Sequence, residues 1–157
     1  MKTIILYATK YGATAEVARL IAEKFDDALI HDLKQADVPT IDDFDCVIIG
    51  SAVYAGSFRN EAKTYINKNT EALCNKRLGL FVCGMSPDES GAAIKANVPD
   101  KVLEASIAVC STGGMFDPEK ANFFERLIMK LITKQSGVVN TINNENITEF
   151  TNAMKDR

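Results

Sequence analysis

The sequence predicts a doubly wound α/β domain: a five-stranded parallel sheet of order 2-1-3-4-5 with helices on both faces. Short, almost continuously apolar runs recur along the chain, as strands buried on both faces require. Segments of helical period separate them. Right-handed crossovers then leave few ways for such alternating units to wind. At 157 residues the chain suits a single domain over 1–157, able to remove roughly 70% of its unfolded surface from water.

The first run, 3–8 (TIILYA), is strand one. Beyond Gly12 the spacing changes, and Val17, Ala18, Leu20, Ile21 and Phe25 form one helical stripe, with Glu16, Arg19, Glu23 and Lys24 elsewhere. A weaker run, 28–33, predicts an edge strand. Residues 44–50 (FDCVIIG) predict the central third strand, 60–67 a helix, and 78–84 (LGLFVCG) the fourth strand. A short helix is expected over 88–96, stopped before Pro99 because the residue preceding a proline avoids the helical region. The fifth strand is expected at 106–110, then Gly113-Gly114, a long helix over 118–134 and a closing helix over 145–155.

Composition narrows the function. With 46% hydrophobic and 25% charged residues the chain folds rather than staying disordered. A net charge of −3 argues against the concentrated basic face that nucleic acid calls for. Cys46, Cys74, Cys83 and Cys110 form no CxxC pair, and His31 is the single histidine, so zinc spacing is absent. Three of the cysteines lie in or beside apolar runs and read as reduced, buried thiols, which fits the cytoplasm. Met1-Lys2 runs straight into strand one with no leader pattern.

In the 2-1-3-4-5 order, ligands bind outside the carboxyl ends of strands one and three. The loop there, Thr9, Lys10, Tyr11, Gly12, Ala13 and Thr14, passes directly into a helix amino terminus. Unpaired N–H groups and the helix dipole then face whatever lies above. Thr9 and Thr14 add hydroxyls, and Gly12 lets the backbone turn tightly around an anion. The competing reading is that Thr9 or Thr14 caps the helix. The loop lacks the three glycines of a dinucleotide fingerprint and the Gly-Lys-Ser/Thr ending of a P-loop.

Strand, then T-x-x-G-x-T, then helix is similar to the phosphate-binding loop of flavodoxins. The resemblance implies a flavodoxin-like fold with flavin mononucleotide (FMN) as cofactor, its phosphate held by Thr9, Lys10, Tyr11, Gly12, Ala13 and Thr14. Lys10 and Tyr11 stand where flavodoxins often carry hydroxyl residues. Ser51, Ala52, Val53, Tyr54, Ala55 and Gly56 take the position of the loop beside the isoalloxazine ring. Tyr54 is expected to stack on the ring, or else to shield the end of the sheet. The Ala55-Gly56 peptide is expected to turn its carbonyl toward a flavin nitrogen. Cys83, Gly84, Met85 and Ser86 match the second flanking loop, which lacks the usual aromatic, so Met85 or backbone covers the ring or leaves it open.

Four stretches also resemble the flavodoxin-related bacterial protoporphyrinogen oxidase family, which passes electrons to menaquinone. They are MKTIILYATKYGATAEVA, VIIGSAVYAG, residues 106–114 and FFERLIMKLITKQSG. The segment 85–105 is shorter than in the best-known of these oxidases. The resemblance implies an FMN-dependent oxidoreductase whose chemistry resides on the flavin, without a metal. Its implied partners are a quinone or a redox protein, with a porphyrinogen as candidate substrate. A one-electron carrier docking with larger redox proteins is the alternative. Residues 51–60 contain no carboxylate and include Arg59, which favours the enzyme, while Asp88 and Glu89 are the nearby acids of the other loop.

The helix over 123–134 carries an apolar face of Phe123, Phe124, Leu127, Ile128, Leu131 and Ile132 beside a basic row of Arg126, Lys130 and Lys134. Its period favours a core-facing helix. The competing reading is a quinone-seeking or membrane-touching surface, which would make the protein peripheral to the inner face of a membrane.

Overall fold

The main sheet has six strands: β1 (Thr3–Ala8), β2 (Ala28–Asp32), β3 (Cys46–Tyr54), β4 (Ser57–Phe58), β5 (Arg77–Cys83) and β6 (Ser106–Ser111). Five of them run parallel in the order β2-β1-β3-β5-β6, and β4 pairs antiparallel with the end of β3. The computed structural model describes residues 1–156, with the backbone alone at Pro87, Asp88 and Ile132.

Strand alternation sorts the core into two layers. Ile4, Leu6, Val47, Ile49, Leu78 and Leu80 face α2 (Asn60–Lys68), α3 (Thr70–Cys74), α4 (Pro87–Asn97) and α5 (Asp100–Ala105) through Ala62, Ile66, Leu73, Ala93 and Val102. Ile5, Ile48 and Phe81 face α1 (Ala13–Ala22) and α7 (Asn144–Lys155) through Val17, Ala18, Ile21, Ile147, Phe150 and Met154. Burial on both sides explains why these strands read as unbroken apolar runs. All four cysteines are free, and three are buried.

Several local expectations are corrected. The third strand continues through Tyr54, so Ser51, Ala52, Val53 and Tyr54 are strand residues rather than loop. It ends in a two-residue turn, Ala55-Gly56, with φ of 50° and 72°, the double positive φ of a type I′ hairpin. The helix over 118–134 is broken: a 3₁₀ turn at Pro118–Lys120 precedes α6 (Phe123–Thr133). Asn122 and Glu125 form a capping box that restarts the helix. Two short strands, β7 (Met115–Phe116) and β8 (Val139–Asn140), pair antiparallel and close the stem of the excursion that carries α6. The core-facing reading of this helix is overturned, since Phe123, Phe124, Leu127 and Leu131 are exposed. Over the central strands both sheet faces are already covered by other helices. Among the described residues, no helix is long and apolar enough to cross a membrane.

Gly50 of β3 lies opposite Phe81 of β5, and the Phe81 ring occupies the space a side chain would need. A Cβ there would meet ring atoms at 2.0–2.5 Å, and Phe81 is fully enclosed. Gly50→Ala should therefore destabilise the fold by about 1–3 kcal/mol, read as a lower urea midpoint at unchanged slope. An unchanged midpoint would show that the ring repacks freely.

Candidate functional site

A cavity of about 220 Å³ opens at the carboxyl ends of β1, β3 and β5. Small-molecule sites usually measure ~300–1,000 Å³, so an occupant of cofactor size extends past its rim. The three segments singled out from the sequence converge on it. Thr9, Lys10, Tyr11 and Ala13 line it from the first, Ala52, Val53, Tyr54 and Ala55 from the second, and Cys83, Gly84, Met85 and Ser86 from the third. Gly12, Thr14, Ser51 and Gly56 are not among the lining residues.

Gly12 turns the chain into α1 with φ 100°, a conformation that favours glycine. Thr9 Oγ1 accepts from the Gly12 N–H at 2.9 Å and closes the turn, while α1 has no side-chain cap. The first intrahelical bond runs from the Glu16 N–H to the Gly12 carbonyl, which leaves the N–H groups of Ala13 and Thr14 without intrahelical partners. A Cβ built on Gly12 would meet nothing within 4 Å, so the space over the turn is open. Thr14 is fully buried and its hydroxyl has no hydrogen-bond partner, with the Cys83 thiol beside it. Orphaned donors at a helix amino terminus fit an anionic group bound over the turn.

Lys10 and Tyr11 point elsewhere. Both donate to the carboxylate of Glu125 on α6, which also accepts from the Asn122 N–H at 3.1 Å. Burial opposes the charge on Glu125, but the bonds from Lys10, Tyr11 and Asn122 outweigh it and hold the carboxyl below its usual range. The Glu125 bond likewise raises Lys10. The Lys10 ammonium also lies 4.2 Å from the centre of the Tyr54 ring, a cation–π contact. One face of Tyr54 is therefore occupied.

The Ala55-Gly56 turn is held from α4. The Gly56 N–H donates to Glu89 Oε1 at 2.8 Å, and the Gly56 carbonyl accepts from Asn97 Nδ2 at 2.9 Å. Ser51 Oγ accepts from the Arg59 N–H at 3.0 Å and serves the hairpin. Ser86 caps α4. Burial pushes the Cys83 thiol up to about 11, so it is a neutral wall and not a nucleophile.

Sequence reasoning missed the fourth wall: Gly114, Met115 and Phe116 after β6, with Glu125, Ile128 and Met129 of α6. Asn122-x-x-Glu125 was the available signal for the start of α6. The charge argument for an enzyme also fails. Arg59 does not line the cavity and sits 3.7 Å from Glu61, whereas Glu89 and Glu125 are both lining residues.

A parallel sheet that presents phosphate-type donors and an aromatic-lined cavity at its switch point defines the class of doubly wound nucleotide-binding domains. The profile of the flavodoxin domain family matches residues 4–141, and the chain belongs to that family. Protoporphyrinogen IX dehydrogenase [quinone] of Escherichia coli K12 is 22% identical, over 87% of this chain and 81% of its own length. Among solved structures, flavodoxin 2 of Bacillus cereus is 18% identical with a TM-score of 0.63, covering 98% of this chain and 97% of its own. A Fusobacterium nucleatum flavodoxin bound to flavin mononucleotide is 20% identical, with a TM-score of 0.52 over 98% and 93%. The rubredoxin:oxygen oxidoreductase of Desulfovibrio gigas is 14% identical with a TM-score of 0.62. It covers 98% of this chain, which spans only 34% of that larger one.

The Glu125 tether has a defined pH window. Because the Glu125 carboxyl is held low, its contribution is complete above the ordinary glutamate value of about 4.3 and is lost as pH falls through its folded value. Because Lys10 is held high, its share is complete below about 10.4 and is lost as pH rises through its folded value. Amide exchange should show α6 losing protection before α7 on acidification, with Glu125→Gln already deprotected at neutral pH. Equal protection in the variant would mean that the tether does not hold α6.

Proposed function

We propose that the protein binds FMN across this cavity and acts as an oxidoreductase of the protoporphyrinogen dehydrogenase kind. In this reading it takes electrons from a reduced organic substrate, such as a porphyrinogen, and delivers them to a quinone. The observation that carries the reading is the apolar outer wall, where Met85, Met115, Phe116, Ile128 and Met129 line the cavity. Such a wall suits a lipophilic reactant and keeps water from it.

FMN, when bound, supplies the electron uptake and release itself. The chain's own residues hold and orient it. The N–H groups of Ala13 and Thr14 and the dipole of α1 receive the phosphate. Tyr54 offers an aromatic surface beside the ring. Lys10 neutralises Glu125, which would otherwise repel the phosphate. The activity of the Escherichia coli relative supports the choice of substrate and acceptor. The setting is then cytoplasmic.

Glu89 favours a second reading. A carboxylate lining the cavity disfavours added electrons nearby, as suits a low-potential carrier that docks with a larger redox protein. Anaerobic turnover separates the two. The FMN-loaded protein should oxidise protoporphyrinogen when a menaquinone analogue is present and stall without it. No porphyrinogen turnover, together with rapid electron exchange with a redox protein, would favour the carrier.

A further inference from the structure

An amphipathic helix on a folded domain normally turns its apolar stripe inward, as α1 does with Val17, Ala18 and Ile21. α6 does the reverse. Phe123 and Phe124 are each 74% exposed, Leu131 73% and Leu127 49%, whereas the inward residue Glu125 is charged. At 3.6 residues per turn these four apolar side chains share one outward face. Val138, at the base of the excursion, is also exposed. Contiguous apolar surface of this kind marks an interaction site.

The charge beside the stripe indicates what covers it. From 121 to 138 the exposed charged residues are Arg126, Lys130 and Lys134. Among the described residues none of the three is in a salt bridge. The chain as a whole carries −3, so positive charge is concentrated on the one helix that exposes its apolar face. An anionic bilayer presents the matching pair of layers, negative headgroups over hydrocarbon.

We propose that α6 is an interfacial helix that lies in the headgroup zone of an anionic membrane. Phe123, Phe124, Leu127 and Leu131 enter the acyl boundary, and Arg126, Lys130 and Lys134 contact lipid phosphates. Ile128 and Met129 of the same helix line the cavity, so docking sets the cavity beside the hydrocarbon layer. Docking stands on α6 alone; delivery of a membrane-dissolved acceptor rests on the quinone reading above.

The test is co-sedimentation with vesicles of phosphatidylcholine, with and without phosphatidylglycerol. The protein should bind the anionic vesicles, release them as salt rises and bind neutral vesicles weakly. Phe123→Ser with Phe124→Ser should cut binding at least about tenfold while leaving the urea midpoint and FMN affinity unchanged. Arg126→Gln with Lys130→Gln should remove the preference for anionic lipid. Failure of the protein to bind either vesicle at low salt, or binding that the double serine variant retains, would overturn the proposal. Dimerisation in solution without vesicle binding would assign the face to a second copy instead. Turnover with a water-soluble short-chain quinone, measured without vesicles, reports on the proposed reaction separately.

Discussion

Withdrawing a carboxylate from water is costly unless donors surround it, and Glu125 is surrounded. Lys10 and Tyr11 reach it from the loop after β1, and the Asn122 N–H reaches it from its own helix cap. This cluster joins α6, carried on a narrow two-stranded stem, to the turn at the switch point of the sheet. The outer wall of the cavity depends on it, because Ile128 and Met129 take their places from the same helix. So does the outward turn of the apolar stripe: a helix whose inward anchor is ionic leaves its hydrophobic side free.

The same cluster gives a physical reason for the sequence's departure from the usual flavodoxin loop. Lys10 and Tyr11 replace hydroxyl residues, and the structure commits both side chains to Glu125. What the loop retains for an anion is backbone: the glycine turn, the free N–H groups that follow it and the α1 dipole. In the proposed reading, specificity for a phosphate rests on backbone geometry that most side-chain changes leave intact.

The central strands were legible in the sequence because burial on both faces leaves no polar interruptions, and their order followed from crossover handedness. The end of β3 was not, since Ser51 and Ala52 still pair with the parallel neighbours and Val53 and Tyr54 pair onward into a hairpin whose turn, Ala55-Gly56, tolerates a positive φ at a non-glycine position. The three segments singled out from the sequence meet at one cavity. Their individual roles were less legible: Ser51 and Ser86 satisfy local backbone, which a strand or cap register decides. The periodicity of 123–134 revealed an apolar face but carried no information about direction, and direction depended on a contact between residues more than a hundred positions apart. Glu125 belonged to a readable capping box, yet its link to Lys10 and Tyr11 exists only in three dimensions.

The central claim, that the turn at 9–14 is a phosphate site, is tested most directly by comparing FMN with riboflavin in flavin-fluorescence quenching titrations. The two ligands differ only in the phosphate. One well-made hydrogen bond to that charged group is worth about 1.5–3 kcal/mol, or roughly ten- to a hundredfold in affinity. FMN should therefore bind at least about tenfold more tightly. Equal affinity of the unaltered protein for both ligands would contradict the account.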